Sequence, residues 1–399
     1  MNRMTFFLFA YWHDFRWKKF VGATVKIWDL AHNIAMLGNE VVLFLPKYHF
    51  SHNNLPFKVV EVPILDYPLL RLLSFNIFLC VYMFRCSIKI SPDIIYVRRM
   101  NSVLPALFAK LKKTIFFYEI NDDPFRKNYQ EGSKVVFFFR SKLSIIQDKF
   151  NIRQCDKAFV ITAKLIKKIL NTDKSLESHK FHLMPSGANT DLLKPLAMHQ
   201  CRLQLKLREG SKIVGFVGSL IEYQGIDNLI EAASQIIKKV PEAIFLIIGE
   251  GPKKDEWISE TKKRSLDRHF IFPGHIPYEE VSVWLGATDI CLAPFLPSAE
   301  ISSPVKIFDY MACGKAVVAS KINGTTEVFE NSGAISFVET ENPEMLAARI
   351  IELLNDEKRV QTMGERGRRF ILNSYDRKNI ARNVIEEAEK LLKKKRNSK

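Results

Sequence analysis

Short apolar runs alternate with helix-length amphipathic stretches along nearly the whole chain, and this alternation restricts the fold more than any other feature. In the first half, "TFFLFAYW", "NEVVLFLP", "SPDIIYVRR", "KTIFFYEIN", "KAFVIT" and "KFHLMPSG" read as strands. Between the first two lies "GATVKIWDLAHNIAMLG", a helix with apolar Val25, Ile27, Trp28, Ile34 and Leu37. The second half repeats the scheme. Here "KIVGFVGSL", "AIFLIIGEG", "FIFPG", "ICLAPF" and "KAVVAS" are strands, separated by the helices "GIDNLIEAASQIIKKV", "DEWISETKKRSL" and "EEVSVWLGAT". Apolar runs bounded by polar turns are what strands buried on both faces look like. Connections long enough to hold a helix imply parallel neighbours with right-handed crossovers.

The chain is therefore read as α/β, with two Rossmann-like domains whose parallel sheets face across a cleft. Residues 1–190 form the first domain and 191–372 the second, joined near "GANTDLLKPLAMHQ". Residues 373–399 are a C-terminal helix that can pack back on the first domain and that ends in a basic tail, "KLLKKKRNSK". A length of 399 residues suits this division, since domains run to roughly 150–200 residues. The net charge of +16 points to acidic partners such as phosphorylated metabolites or anionic lipid. Nucleic acid is not expected, because aromatic and basic residues do not interleave in any recognition motif. Cys80, Cys86, Cys155, Cys201, Cys291 and Cys313 are scattered without a CxxC pair, and are read as reduced thiols. The opening "MTFFLFAYW" lacks the long apolar core of a secretory signal, so a cytoplasmic location is expected. "YPLLRLLSFNIFLCVYMF", residues 67–84, is interrupted by Arg71 and Asn76. Its uninterrupted part falls short of the about 20 residues a bilayer span requires. It reads as a buried or surface-facing helix, or as one touching a membrane surface.

Ligands of open α/β sheets bind beyond the carboxyl ends of the strands. The glycines there are Gly215 and Gly218 in "GFVGSL" and Gly249 in "IIGEGPKK", while Gly22 opens the first helix. Each alone is an ordinary turn glycine. A sharper signal is "SSPVKIFDYMACGKAVVAS", residues 302–320. Ser303 suits an N-cap and Pro304 the first helical position. A helix N-terminus binds anions, and Lys306 adds a full positive charge to it, where an ordinary surface helix would carry acids. Asp309, three residues on, points from nearly the same face. One end of this surface suits a diphosphate and the other suits hydroxyls. A solvated crossover helix is the plain alternative.

The text from Gly215 to Ser320 resembles the nucleotide-sugar-binding domain of retaining GT-B glycosyltransferases of family 4. The matching stretches are "GFVGSLIEYQGIDNLIEAA", "FLIIGEGP", "FPGHIPYEEVSVWLGATDICLAPF" and "SSPVKIFDYMACGKAVVAS", in the family's order. "GATVKIWDLAHNIAMLGNEV", "PDIIYVR", "YEIN" and "MPSGANTDLL" resemble the family's acceptor domain more loosely. The resemblance implies that Gly22, with Ala23 beside it, lies against the donor phosphates. It places donor contacts at Gly218, Ser219, Gln224, Gly249, His275, Ser302, Ser303, Pro304, Lys306 and Asp309. The family's basic pair is absent, since Ser219 and Gln224 occupy those positions, and Lys306 is a substitute for one of the two charges. Asp309 stands where the family holds the ribose hydroxyls. The family's other glutamate would fall on Ile301, with Glu300 one place early, either reaching the donor sugar or left as a solvated loop acid. In the first domain, Arg98, Glu119 and Asn121 end strands, with Arg98 and Asn121 as acceptor contacts and Glu119 as the group that handles a proton. His13 is a further polar candidate. "INDDP" reads as a turn and not as a metal site.

The expectation is thus a retaining, metal-independent glycosyltransferase with no cofactor beyond its nucleoside diphosphate sugar substrate. Its acceptor would be a glycan or lipid-linked sugar in cell-surface polysaccharide or glycolipid assembly. The location would be cytoplasmic, with peripheral contact at the inner face of the cell membrane. Such enzymes let the leaving diphosphate assist the incoming hydroxyl, so the protein positions reactants and offsets charge. Closure of the cleft would exclude water. Two alternatives share the scaffold: a nucleotide-sugar 2-epimerase, and a binding protein without catalysis.

Overall fold

Strand and helix alternate as the periodicity implies, and the strands close into two parallel sheets. The structure, a computed structural model, describes residues 3–11, 22–47, 54–65, 67, 70–125, 134–299 and 304–397. The chain divides into two compact units, Met1–Met184 with Arg377–Lys399, and Pro185–Asp376.

The strands of the first unit are β1 (Thr5–Phe9), β2 (Glu40–Pro46), β3 (Lys58–Val62), β4 (Ile94–Arg98), β5 (Ile115–Ile120), β6 (Lys157–Val160) and β7 (Phe181–Leu183). They form one sheet in the order β3-β2-β1-β4-β5-β6-β7. Central β1 pairs parallel to β2 through Phe6 and Val41 and to β4 through Phe6 and Ile94. Its helices are α1 (Gly22–Met36), α2 (Arg71–Lys89), α3 (Leu104–Lys112), α4 (Lys134–Gln154) and α5 (Ala163–Thr172). The second unit holds β8 (Lys212–Val217), β9 (Ala243–Ile248), β10 (Phe270–Gly274), β11 (Ile290–Ala293), β12 (Ala316–Ser320) and β13 (Ile335–Val338). Their order is β10-β9-β8-β11-β12-β13. Its helices are α6 (Met198–Gln204), α7 (Ile226–Lys239), α8 (Lys254–Lys263), α9 (Val281–Gly286), α10 (Val305–Ala312), α11 (Asn323–Phe329), α12 (Pro343–Leu354) and α13 (Glu357–Phe370). The last helix, α14 (Arg377–Asn397), belongs to the first unit.

Burial explains why these segments take these places. In α14, Ile380, Ala381, Val384, Ile385 and Ala388 recur at helical spacing and enter one apolar cluster with Ile27, Leu30, Ala31 and Ile34 of α1. Each large apolar side chain buried in this way contributes roughly 1.5–3 kcal/mol. An ion pair between Arg377 and Asp29 fixes the start of α14 against α1. In the second unit, α7 and α12 bury Leu229, Ile230, Ala347 and Ile350 against one face of the sheet, and α10 buries Ile307, Phe308 and Met311 on the other.

Three expectations are corrected. Strands β3 and β13 were not foreseen. Both lie at sheet edges, and "KVVEV" and "ISFV" are only half buried, so their apolar signal is weak. The domain division shifts from residue 190 to 184 and from 372 to 376. The cause is a set of bonds that tie both passages to the second unit. Ala188 N–H donates to the Tyr375 carbonyl (3.0 Å), Thr190 bonds Asp376, and Arg368 donates to the Leu193 and Ala312 carbonyls (2.7 Å each). Finally, α10 begins at Val305, with Pro304 at the N-cap instead of the first helical position, and Ser303 lies outside the described residues.

Candidate functional site

In the second unit the connections leave β8 toward β9 and β10 on one side, while β11 leads to β12 and β13 on the other. At such a switch point the carboxyl ends of neighbouring strands leave a crevice. Its floor comes from the turns after β8 and β9. A methyl group on Gly218 would stand 2.8 Å from Lys306 Nζ, and one on Gly249 would stand 1.9 Å from the Gly218 carbonyl oxygen. Only glycine lets the two turns and the lysine approach this closely.

Lys306, in the first turn of α10, reaches into this place. Its Nζ lies 3.6 Å from the centre of the Phe216 ring and 5.3 Å from that of Phe295. It also donates a hydrogen bond to Gln224 Oε1, on a buried side chain. Among the described residues no carboxylate pairs with it. Burial pushes its ammonium well below the usual lysine range. A cation held by two rings and one neutral amide is a poorly compensated charge. An anion arriving at this ammonium restores the balance. Three residues on, the Asp309 carboxyl is also enclosed by protein, with one oxygen lacking any hydrogen-bond partner. Burial pushes it up to about 8, so it is mostly protonated at neutral pH and able to donate as well as accept. Tyr310 steadies the floor: its hydroxyl accepts from the Val217 N–H (2.8 Å) at the end of β8.

The first unit gathers a second polar group at the ends of β4 and β5. Glu119 is buried, with 2% of its surface exposed. Its carboxylate accepts from the Tyr96 hydroxyl (2.7 Å) and lies 3.1 Å from Lys26 Nζ of α1. Lys26 also donates to Asn121 Oδ1 (3.2 Å). Burial alone would raise the carboxyl, but the charges of Lys26 and Arg98 and the Tyr96 bond outweigh it and hold it at about 2. On Lys26 burial wins, and its ammonium falls below the usual value despite Glu119.

Residues 200–370 match the family model "Glycosyl transferases group 1". Over this stretch the chain is similar to the group 1 glycosyltransferases. An uncharacterized glycosyltransferase of Methanocaldococcus jannaschii is 25% identical over 348 residues, covering 83% of this chain and 84% of that one. Sucrose-phosphate synthase from Thermosynechococcus elongatus has the same fold, with a TM-score of 0.75 at 19% identity, over 98% of this chain and 99% of that one. Anabaena HepE in complex with UDP and glucose superposes with a TM-score of 0.74 at 15% identity, over 97% of this chain and 100% of its own. The fold is GT-B, with a seven-stranded and a six-stranded parallel sheet.

The structure brings together Gly218, Gln224, Gly249 and Lys306 of the expected donor contacts, with Ser219 exposed beside them. Asp309 shares α10 with Lys306 but forms no bond to it. His275 is exposed after the edge strand β10, two strands from β8. Glu300, Ser302, Ser303 and His13 lie outside the described residues, and Gly22 and Ala23 are described only as the first residues of α1. Glu119, expected to handle a proton, is engaged with Lys26 and Tyr96. A carboxylate held near 2 by a cation and a phenol is a weak base at neutral pH. Asn121, expected at the acceptor, accepts a hydrogen bond from Lys26. In the "INDDP" turn, Asp122 pairs with Arg99, and Asp123 pairs with Lys168 (2.8 Å). Sequence reading missed Lys26, Tyr96, Phe216, Phe295 and Tyr310. The aromatic four sit in apolar text that reads as core. Lys26, a lone cation in the apolar first turns of "GATVKIWDL", was the available signal.

Proposed function

We propose that this protein is a retaining glycosyltransferase that moves a sugar from a nucleoside diphosphate sugar to a glycan or lipid-linked acceptor. The setting proposed is cell-surface polysaccharide or glycolipid assembly at the cytoplasmic face of the membrane. A uridine nucleotide is the first donor to test, because HepE shares the fold and has been seen with UDP and glucose. The observation that carries the reading is Lys306, a cation without a described carboxylate at the switch point of the second sheet.

In this reading the donor diphosphate rests against Lys306 and the turns at Gly218 and Gly249. The acceptor oxygen forms its bond to the anomeric carbon as the bond to the phosphate oxygen breaks, on the same face of the sugar. The acceptor's proton passes to the departing phosphate oxygen, so no side-chain base is required. Lys306 offsets the charge that grows on the leaving diphosphate. A single donor aimed at such developing charge is worth about 10²–10³ in rate. Because a fixed side-chain cation supplies that charge, the proposal is metal-independent. The enclosed Asp309 carboxyl, neutral in the free protein, has both a donor and an acceptor to offer the ribose or sugar hydroxyls.

The test is a panel of nucleotide sugars, scored by thermal stabilisation of the full chain and then by nucleotide release. Stabilisation by one nucleotide sugar, with nucleotide released only when an acceptor is added, supports the reading. Conversion of the donor without an acceptor favours an epimerase. Binding without turnover in any acceptor mixture leaves a binding protein.

A further inference from the structure

Helix α2 has an outer face that is apolar where a soluble protein is normally polar. Leu73, Ile77, Val81, Phe84 and Ile88 recur at steps of three and four residues and are 57, 56, 47, 38 and 84% exposed. The opposite face buries Phe75, Leu79 and Met83. Ordinary amphipathic helices place charge opposite their buried stripe. Here both faces are apolar, and the only charges are basic: Arg71, Arg85 and Lys89. Among the described residues α2 is the one helix long and apolar enough to cross a membrane, and only 28% of its apolar window is buried.

The patch extends beyond α2. Phe84 packs edge-on against Phe108 of α3, with ring centres 5.1 Å apart. Helix α3 adds exposed Leu107 and Leu111 and ends in Lys110 and Lys112. Lys395 of α14 donates to the carbonyl of Lys113, just past α3, at 2.5 Å. The basic tail therefore ends beside the same patch, with Lys394 and Arg396 in its last turn. Neither α2 nor α3 contains an acidic residue. Scattered exposed leucines are normal, but a contiguous stripe fringed with one sign of charge is not.

We infer that the outer face of α2, with the end of α3 and the basic end of α14, docks in the plane of an anionic lipid surface. The apolar stripe enters the boundary between headgroups and acyl chains, and the lysines and arginines meet the anionic headgroups. This deepens the lipid-linked part of the proposed function and depends on that reading only for its purpose. The surface itself stands on exposure and charge in the first unit.

The experiment is flotation of the full chain with vesicles of phosphatidylcholine alone or mixed with phosphatidylglycerol, at low and high salt. The expected result is binding to the mixed vesicles that weakens with salt. Ile77→Asp together with Ile88→Asp should lower that binding by about tenfold or more. Arg85→Glu with Lys112→Glu should remove the preference for anionic lipid while leaving the apolar face intact. All four positions are exposed, and unchanged circular dichroism and melting temperature show that the variants fold. Nucleotide binding, measured without vesicles, should be unchanged in each variant, which separates this inference from the donor assignment. No flotation of the parent chain overturns the inference, as does equal flotation of the Ile77/Ile88 variant. So does a solution dimer that this variant converts to monomer, which would make the face an interface between copies. Resistance of the bound protein to alkaline extraction would overturn docking in the plane, in favour of insertion.

Discussion

Replacing Lys306 with methionine separates two quantities that usually fall together. Methionine keeps the length and the contact with the Phe216 ring but removes the charge. In the free protein the lost cation–π contact costs about 1 kcal/mol, and the Gln224 oxygen left without its donor costs about as much again. Against these stands relief from burying a poorly compensated ammonium, on the order of several kcal/mol even after relaxation. The terms oppose one another, so the melting temperature of the free variant should stay within a few degrees of the parent or rise. The diphosphate complex behaves otherwise. A phosphate about 4 Å from Nζ is attracted by roughly 4 kcal/mol at an effective dielectric of 20. After desolvation, charged hydrogen bonds retain about 1.5–3 kcal/mol of this. At about 1.4 kcal/mol per decade, UDP affinity should fall roughly 10- to 150-fold. Uridine, which lacks the diphosphate, is the control and should bind Lys306→Met and the parent equally. Titration calorimetry with both ligands reads the difference directly. Equal UDP affinity in the two proteins, or equal losses for UDP and uridine, would refute the assignment of Lys306 to the phosphates.

Two further outcomes follow from the titrating groups. Asp309 has its carboxyl raised by burial to about 8, above its unfolded value. Its folded state therefore holds a proton that the unfolded chain gives up, and stability falls as pH rises from about 4 toward 8, by at most ~1.4 kcal/mol per pH unit. Asp309→Asn should flatten this slope, and urea unfolding at pH 5 and pH 8 should show the parent losing stability that the variant keeps. Glu119 has the opposite sign. Held at about 2, it contributes stability present above its unfolded value of 4.5 and lost as pH falls toward 2. That contribution amounts to about 3 kcal/mol. Glu119→Gln strands Lys26 and should cost a similar amount at pH 7, while leaving the acid limb of the unfolding curve less steep. If nucleotide release per folded enzyme fell a thousandfold with the fold intact, the structural role given to Glu119 would be wrong.

Much of the candidate site on α10 was legible because its determinants are local. Lys306 and Asp309 lie three residues apart on α10, and helix geometry fixes their common direction before any tertiary contact forms. Gly218 and Gly249 were legible as turns but not as neighbours. Their mutual approach needs β8 and β9 side by side, which is a long-range fact. The partners of Glu119 were not legible for the same reason. A carboxylate at a strand end looks available in sequence, and only the packing of α1 and β4 around it shows Lys26 and Tyr96 consuming its valences.

By itself the sequence determined the two α/β halves, the strands with continuous apolar runs, and the place where a diphosphate would be sought. Those properties follow from periodicity and from residue chemistry over a few neighbours. Only the tertiary structure decided which strands lie at the edges, which charges are spent on one another, and that Lys306 is left with rings and an amide for company. It also decided that α2 turns an apolar stripe outward. An apolar residue reads the same whether it is buried or exposed, and only the neighbours brought to it by the fold distinguish the two.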